Sequence, residues 1–471
     1  MDDITRRNLL LAAVAASVLP ATPWTADPAV AQPAAGGGVA AGGPSPSGET
    51  WATSWAASAQ GPYPVGNPSA QPDQRFAFPD PAAGADDQTL RLVLRPTLWG
   101  RQARLRLSNA FGTRPLTLDG GFAGLQLGGA ALVPGTNRPL RFGGGREGVT
   151  IPPGGMVWSD PVELPFAADP ASPLLAGRKL AVSLHVVGES GPMTWHAKAL
   201  QTSYVTAPGA GAKGWDEGEA AFPYSTASWF FLDALDVTAP AGTPVIVALG
   251  DSITDGTAST MNGDDRWPDV LARRLHAALG NRVAVVNAGI GGNQVVGPRE
   301  YGPERPFPGG PSALQRLERD VLSLSGVTTV VWLEGTNDFS RNGNATAEAV
   351  QAGMREGVAR IRARLPGVRV VGATVVPALG STSAAHGFPE QDGKRKALNA
   401  FIRGSGLFDA VADFDAATLD PATGGLRPEM VPESTTGGPG DKLHPNRAGY
   451  LVMGMGMGVD LAGVAPGLLA R

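Results

Sequence analysis

Four short polar motifs in the second half of the chain contain the residue types that acyl transfer requires. They are Gly250-Asp251-Ser252, the stretch NAGIGGN at 287–293, the stretch EGTND at 334–338, and Asp441-Lys442-Leu443-His444. Acyl transfer needs a nucleophile, a base, a group that orients the base, and hydrogen-bond donors for an oxyanion. A serine hydroxyl, an imidazole, a carboxylate, and glycine or asparagine N–H groups supply all four.

The spacing of Asp441 and His444 predicts a base that is held by a carboxylate. One turn of chain can bring the carboxylate to the Nδ1–H of the imidazole and leave Nε2 free to accept a proton. Ser252 directly follows an apolar run, and we expect it at a helix N-terminus, where free N–H groups favour negative charge. Each residue also has a structural alternative, since serine commonly caps helices and Asp–His pairs occur on surface turns.

Nearly continuous apolar runs precede these motifs and predict the elements that position them. The runs cover residues 245–249, 283–286, 327–333, 368–371 and 408–411. Strands that are buried on both faces of a sheet have nearly continuous apolar sequences of this kind. Helical repeats lie between them, for example Trp267, Val270, Leu271 and Leu275 on one face. The pattern predicts an α/β fold with a five-stranded parallel sheet and helices on both faces, whose ligands lie at the carboxyl ends of the strands.

The region before residue 238 has a different periodicity. Residues 90–95, 103–108, 116–118 and 180–185 alternate between apolar and polar types, with Gly and Pro between the runs. Such alternation is typical of half-buried strands, and several short strands predict a β-sandwich or jelly-roll-like domain. We therefore predict a β-rich accessory domain at 50–238 and a catalytic domain at 239–471.

The four motifs, in this order, resemble the signature blocks of the SGNH, or GDSL, serine hydrolases, over about half of the chain. The resemblance implies a flavodoxin-like sheet, with Ser252 as nucleophile, His444 as general base and Asp441 as its orienting group. It implies three oxyanion donors, which are the backbone N–H groups of Ser252 and Gly292 and the side-chain amide of Asn337. The GxSxG elbow of the α/β-hydrolases does not occur in the chain.

Finer features look like the secreted, xylan-esterase-like branch of that family. They include the GPSAL stretch at 310–314 and a W-x-x-S-W segment at 51–55. The export predicted below, a polar crevice and a jelly-roll-like partner domain favour O-acetyl groups of a polysaccharide as substrate, and the β domain is then a candidate for glycan binding. Trp51, Trp55, Trp99 or Trp195 are candidates for stacking on sugars, with burial in the core as the alternative.

Other polar residues near the motifs are expected to shape the site. We expect Asp251 and Asp255 to be structural or to shape the pocket rather than to be catalytic. We expect Asp338 to support its loop, and Glu334 to be architectural or to bind a substrate hydroxyl. The Pro- and Gly-rich loop at 295–310 either lines the substrate cleft or is a passive surface excursion.

Composition excludes several classes of function. The chain has 471 residues, 38 Lys+Arg against 42 Asp+Glu, and a formal net charge of −4, so nucleic acid is not an expected partner. It has no cysteine and 5 scattered histidines without an HExxH pair, so we expect no metal site. Without GxGxxG or a Walker-type motif, we expect no cofactor.

The N-terminal segment predicts export. Arg6-Arg7 precede the apolar run 9–16, and Ala29-Val30-Ala31 offers a cleavage site, which predicts a Tat-type signal at 1–31. A Sec signal or an uncleaved anchor is the alternative. Residues 32–49 are expected to form a flexible linker. No later apolar stretch reaches ~18 residues, so no membrane span is expected in the mature chain, which would be periplasmic or secreted.

The sequence thus predicts an exported serine esterase that deacetylates O-acetylated polysaccharide or a smaller ester through an acyl-enzyme. A general short-chain carboxylesterase or lipase is the alternative within the same chemistry. An acyltransferase with a sugar acceptor and a non-catalytic, secreted glycan-binding protein also stay open. The sequence does not predict the oligomeric state.

Overall fold

The computed structural model describes residues 48–458 and Gly463. The predicted export signal at 1–31 and all of the predicted linker except Gly48 and Glu49 lie outside the described residues. The described residues belong to one compact unit. Glu49 begins the first strand.

Short antiparallel strands form the region before residue 241. Their bounds are β1 Glu49–Ala56, β2 Asp86–Leu94, β3 Gln102–Ser108, β4 Leu116–Gly128, β5 Ala131–Leu132, β6 Arg138–Pro139, β7 Val149–Ile151, β8 Met156–Trp158, β9 Val162–Glu163, β10 Leu180–Glu189, β11 Trp195–His196, β12 Ser203–Val205, β13 Tyr224–Thr226, β14 Trp229–Phe230 and β15 Leu232–Pro240. One sheet has the order β1-β15-β3-β8 with β9 on β3; another has the order β13-β12-β2-β10-β4-β5 with β6 and β7 on β4; β11 pairs with β14. The predicted β-rich region is confirmed, and its assignment as a sandwich or jelly roll stays a prediction.

The second region contains the predicted five-stranded parallel sheet. Its strands are β16 Val245–Gly250, β17 Ala284–Gly289, β18 Val327–Leu333, β19 Arg369–Ala373 and β20 Ala410–Ala412. Their order is β17-β16-β18-β19-β20, and every neighbouring pair is parallel. The chain direction across the sheet reverses between β16 and β18. Ligands bind at such a switch point, beyond the carboxyl ends of the strands.

Helices follow the strands and cover the two faces of the parallel sheet. The α-helices are α1 Ser252–Asp255, α2 Trp267–Leu279, α3 Ala313–Leu317, α4 Ala347–Arg364, α5 Pro389–Gly404, α6 Phe414–Thr418 and α7 Arg447–Gly456. A π-helical turn covers Glu318–Leu322, and short 3-10 turns cover Gln74–Phe76, Pro165–Ala167, Pro173–Leu175 and Pro428–Met430. No helix among the described residues is long and apolar enough to cross a membrane.

Alternate side chains of β16 point to opposite faces of the sheet, which explains why its sequence is apolar throughout. Ile246 and Ala248 pack in a cluster with side chains of α2, α6 and α7. Val245, Val247 and Leu249 pack in a second cluster with side chains of α3, α4 and α5. Both faces are therefore buried, as the sequence pattern predicts.

The core of the β-rich region is continuous with this second cluster. Leu92 of β2, Leu105 of β3 and Val247 of β16 belong to the same set of packed, buried side chains. Hydrogen bonds also join the two regions, for example from the Thr53 N–H to the Ser325 carbonyl at 3.0 Å. The predicted boundary near residue 238 stays a prediction, because apolar packing crosses it.

The candidate tryptophans offer little ring surface to a sugar. Trp55, Trp99 and Trp195 are buried; Trp55 packs edge-on against Trp229, with ring centroids 4.9 Å apart. Trp51 is half-buried, with the Arg104 guanidinium 4.7 Å from its ring centroid. Glycan stacking on Trp55, Trp99 and Trp195 was thus the wrong alternative, because these rings fill the core.

Candidate active site

Ser252 stands where β16 ends and α1 begins. The Asp251 carboxylate caps this turn by accepting a hydrogen bond from the Ile253 N–H at 2.9 Å. Gly250 must be small here, since a Cβ on it would lie 2.3 Å from the Leu333 carbonyl oxygen. The Ser252 side chain is buried at the carboxyl edge of the sheet.

The structure joins Ser252, His444 and Asp441 in one hydrogen-bonded chain. Ser252 Oγ lies 2.8 Å from His444 Nε2, and His444 Nδ1 lies 2.6 Å from Asp441 Oδ2. The other oxygen of Asp441 accepts hydrogen bonds from the backbone N–H groups of Leu443 and His444, each at 2.9 Å. This is the geometry in which an imidazole can take the serine proton while a carboxylate fixes its orientation.

The carboxylate of Asp441 stays ionised in this setting. Burial alone would raise its pKa, but the hydrogen bond and charge of His444 and the two backbone N–H groups bring the pKa well below its ordinary value. Asp441 therefore acts as a hydrogen-bond acceptor across the whole range from weakly acidic to alkaline pH.

Gly292 requires the conformation and the space that only glycine provides. Its φ is +85°, and a Cβ would lie 2.6 Å from Nδ2 of Asn67. Asn67 Nδ2 donates to the Gly291 carbonyl at 2.9 Å. The Gly291 carbonyl and the Gly292 N–H belong to the same trans peptide and point in opposite directions. Asn67 therefore fixes the direction of the Gly292 N–H.

Asn337, which follows β18, presents its amide at the same edge of the sheet. Its Nδ2 donates to the Asn293 carbonyl at 2.9 Å, which leaves one N–H of the amide available. Between residues 48 and 458, the backbone N–H groups of Ser252 and Gly292 have no acceptor. All three groups that the sequence predicts as oxyanion donors thus keep an N–H that can donate to a ligand oxygen, and their role as oxyanion donors stays a prediction.

The β-rich region contributes to the site through three further side chains, His196, Lys198 and Asn67. Asp255 accepts from the Gly291 N–H at 2.9 Å, and His196 Nε2 lies 3.1 Å from its other oxygen. Lys198 is buried and donates to Thr257 Oγ1; a Cβ on Gly291 would lie 3.1 Å from its Nζ. Burial lowers the pKa of Lys198. Asp255 is thus structural, as expected, and holds the peptide before Gly292.

A buried arginine ties the strand ends together beneath the site. Arg316 donates to the carbonyls of Gly250 at 2.9 Å and Ala288 at 2.7 Å. It also donates to Asn293 Oδ1 at 2.8 Å and pairs with Asp320 at 3.0 Å. A planar guanidinium can make these contacts simultaneously, because its donors diverge in a fixed fork. Arg316 therefore holds the segments that carry Ser252 and Gly292 at a constant separation.

Two buried carboxyl groups lie behind Asn337, and each is bound to the protein. Asp338 accepts from the Val295 N–H at 2.8 Å and the Val296 N–H at 3.1 Å, so it supports the oxyanion loop as expected. Burial and the nearby Glu334 raise the pKa of Asp338 to about 7. Glu334 accepts from the Trp332 indole at 2.8 Å, and burial raises its pKa as well. The contact of Glu334 fits an architectural role.

The loop at 295–310 is fastened to the β-rich region. Tyr301 donates its hydroxyl to the Gly61 carbonyl at 2.7 Å and accepts from the Gly61 N–H at 2.8 Å. Gln60 donates to the Pro308 carbonyl at 2.9 Å. Burial raises the pKa of Tyr301 to about 12. This loop therefore anchors the two regions to each other, and its place in the substrate cleft stays a prediction.

Asn67, His386, His196 and Arg316 are site residues that the sequence analysis does not identify. His386 Nε2 lies 3.2 Å from Asn337 Oδ1. Its position in the loop after β19 is the available signal, since the strand-end criterion applies to that strand as well. Within the described part of the chain, no group of three or more His, Asp or Glu side chains could hold a metal ion.

The comparisons with known proteins point to one family. The model of the GDSL-like lipase/acylhydrolase family matches residues 248–452, a little under half of the chain. No curated protein matches significantly.

Solved structures of an acylhydrolase and of esterases each resemble about half of the chain. One is the lipase/acylhydrolase from Enterococcus faecalis, with 24% identity, a TM-score of 0.34, and coverage of 47% of this chain and 96% of that chain. A carbohydrate acetylesterase family member from Sinorhizobium meliloti has 19% identity, a TM-score of 0.34, and coverage of 48% and 100%. The aryl esterase of M. smegmatis has 18% identity, a TM-score of 0.35, and coverage of 48% and 99%. These likenesses carry no conclusion about substrate.

The matched residues contain the second half of β16, all of β17 to β20 and all four polar motifs. Residues 248–452 form a GDSL-like lipase/acylhydrolase domain, and this domain makes the chain a carboxylic ester hydrolase.

Proposed function

We propose that the chain is a serine esterase in which Ser252, His444 and Asp441 form the catalytic triad. The observation that carries the proposal is the chain of hydrogen bonds from Ser252 Oγ through His444 to Asp441, at 2.8 and 2.6 Å. Helix capping, the structural alternative for Ser252, is already performed by Asp251 at the start of α1.

The reaction follows from the positions of these groups. Ser252 Oγ attacks the ester carbonyl while its proton moves to His444 Nε2, and the carbonyl oxygen becomes an oxyanion. The N–H groups of Ser252, Gly292 and Asn337 donate to that oxyanion. The carbon–oxygen bond to the alcohol then breaks, and His444 returns the proton to the departing alkoxide. Water, activated by His444 in the same way, hydrolyses the acyl-enzyme and releases the acid.

For the substrate, we propose short acyl groups, above all acetyl, on the hydroxyls of a polysaccharide. Polar side chains border the oxyanion glycines, with Asn67 and Lys198 on one side and His386 near Asn337. Such groups suit a hydroxyl-rich alcohol, because each can donate or accept a hydrogen bond. The export signal expected at 1–31 supports a polymer outside the cytoplasm.

An apolar groove favours a second candidate, a general carboxylesterase or lipase. The groove has a volume of about 440 Å³ and adjoins the turn that carries Asp441. Its lining includes Leu379, Leu426, Val431 and Lys442. An acyl chain or an apolar alcohol that reaches it would be removed from water, at about 0.8 kcal/mol per buried CH₂.

An ester panel separates the two candidates. Acetyl-xylan, other acetylated sugars, and p-nitrophenyl esters from acetate to octanoate are assayed in parallel, with Ser252→Ala as the blank for spontaneous hydrolysis. The proposal predicts acetate release from acetyl-xylan and a kcat/KM that falls as the acyl chain lengthens. A kcat/KM that rises with chain length, without acetate release from the polymer, would establish the second candidate.

The β-rich region is expected to affect catalysis through Asn67. Removing the contact from Asn67 to the Gly291 carbonyl frees the peptide that carries the Gly292 N–H. We expect Asn67→Ala to lower kcat/KM about 10-fold, a fraction of the ~10²–10³-fold cost of losing one oxyanion donor. Initial rates on p-nitrophenyl acetate, together with thermal unfolding, measure the change.

Asn281→Ala is the matched control for Asn67→Ala. Asn281 also joins the two regions, through hydrogen bonds at 2.9 Å to both the N–H and the carbonyl of Trp99. Losing these contacts should lower the free energy of unfolding by about 1–2 kcal/mol and leave kcat/KM within about twofold. Equal losses of activity in both variants would show that Asn67 acts only by holding the regions together.

A further inference from the structure

His386 lies in the loop between β19 and α5 and forms hydrogen bonds on both sides of its ring. Its Nε2 lies 3.2 Å from Asn337 Oδ1, and its Nδ1 lies 3.1 Å from Ser383 Oγ. The same loop holds the turn that carries Asp441, because Ser381 Oγ donates to the Asp441 carbonyl at 2.8 Å. One loop thus contacts both the orienting carboxylate segment and the oxyanion amide.

The contacts of Asn337 allow one orientation of its amide. Its nitrogen faces the Asn293 carbonyl at 2.9 Å, where only a donor is favourable. With the amide turned over, its oxygen would face that carbonyl oxygen, and two acceptors would oppose each other. The Asn337 oxygen therefore faces His386, and it requires a donor there.

His386 meets this requirement as a neutral ring with its proton on Nε2. Nε2–H donates to Asn337 Oδ1, while the Ser383 hydroxyl donates to the unprotonated Nδ1. Burial, together with the nearby His444, lowers the pKa of His386 to about 4, whereas Asp441 opposes the shift. The ring thus stays neutral at the pH of the reaction, so no second cation stands beside His444 when His444 takes up the serine proton.

We propose that His386 is a positioning residue, which holds the Asn337 amide with one N–H directed at the oxyanion. The proposal rests on the proposed function, in which Asn337 is an oxyanion donor. With the Asn293 contact alone, the amide keeps its orientation but can still swing about its last side-chain bond, whose rotamer wells are broad. A donor on the amide oxygen restricts this rotation before substrate arrives, and preorganised donors are those that stabilise a transition state.

The variants His386→Ala and His386→Gln test the proposal. His386→Ala should lower kcat on p-nitrophenyl acetate about 10- to 50-fold, with KM within about twofold, because the contact acts on the transition state. His386→Gln can place an N–H donor near the position of Nε2 and should recover most of that loss. His276→Gln is the control. His276 Nε2 donates to the carbonyl of Val283, which directly precedes β17 at the end of the strand away from the site, so the kcat of this variant should not change.

A double-mutant cycle with Asn337→Ala decides whether His386 acts through that amide. In the Asn337→Ala background, His386→Ala should change kcat less than twofold, because no amide remains to be positioned. If the losses of kcat in His386→Ala and Asn337→Ala multiply in the double variant, His386 does not position Asn337. The same conclusion follows if His386→Ala raises KM and leaves kcat unchanged. Recovery that is no better in His386→Gln than in His386→Ala also overturns the proposal.

Ser383→Ala keeps the test decisive if His386→Ala does not fold. Without the Ser383 hydroxyl, the His386 ring loses the donor that keeps Nδ1 unprotonated. Ser383→Ala should therefore lower kcat about 3-fold in the parent chain, and it should not lower kcat in a chain that already carries Asn337→Ala. A loss of the same size in both backgrounds rejects the inference. The proposed function is tested separately by Ser252→Ala: a Ser252→Ala variant that keeps the kcat of the parent chain would refute it, whatever the His386 variants show.

Discussion

Replacing Ser252 with alanine is expected to lower kcat for p-nitrophenyl acetate by about 10⁴-fold or more. The hydroxyl is the atom that forms the acyl-enzyme, so nothing remains to attack the carbonyl except water. The free energy of unfolding should change little, because Asp251 caps α1. The Ser252 hydroxyl forms a hydrogen bond only with His444 among the described residues. Initial rates and thermal unfolding, measured on the same preparation, provide both quantities.

Ser259→Ala is the matched control for Ser252→Ala. Ser259 is buried seven positions along the chain, and its Oγ has no hydrogen-bond partner among the described residues. This variant should keep the kcat of the parent chain. A Ser252→Ala variant with comparable kcat would remove Ser252 from the mechanism.

Asp441→Asn is expected to lower kcat by about 10³–10⁴-fold without unfolding the protein. Two backbone N–H groups donate to one oxygen of Asp441, so the oxygen of an asparagine must stay there. The NH₂ group then faces His444 Nδ1 and donates to it, which moves the ring proton to Nε2. A protonated Nε2 cannot accept the proton of Ser252, and the base is lost although every side chain keeps its place.

Asp160→Asn is the corresponding control in the β-rich region. Asp160 also accepts from two backbone N–H groups, those of Gly144 and Gly145, at distances of 2.7–3.0 Å. Its substitution should leave kcat unchanged. If Asp441→Asn also retained its kcat, the carboxylate would be a structural cap of its turn and not the orienting group of a triad.

The parallel sheet was predictable because its sequence signal is local and strong. β16 and β18 are buried on both faces, so almost every residue in them is apolar. Each strand can therefore be recognised in the sequence as a continuous apolar run. The motifs that follow these strands are equally visible, since the chemistry fixes both residue type and order. Ser252 follows β16 directly, whereas His444 lies 192 positions further along the chain and well after β20, so its signal is the spacing from Asp441 and not a strand end.

Contacts between the β-rich region and the parallel-sheet region have no comparable signal in the sequence. Asn67 reaches the Gly291 carbonyl across 224 positions, and its neighbours in sequence contain no pattern that indicates this partner. His386 is a single histidine in a loop, and its role depends on Asn337, 49 positions away. The four candidate tryptophans could not be placed from the sequence either, because composition does not reveal whether an aromatic ring lies in a core or on a surface.

Reaction with diisopropyl fluorophosphate, followed by peptide mapping by mass spectrometry, tests the central claim most directly. This reagent phosphorylates an activated serine hydroxyl and releases fluoride. The account predicts one adduct per chain, on the peptide that contains Ser252, with activity lost in proportion to labelling and no adduct in Ser252→Ala or Asp441→Asn. An adduct on a different residue that accounts for the loss, or full activity after complete labelling of Ser252, would contradict it.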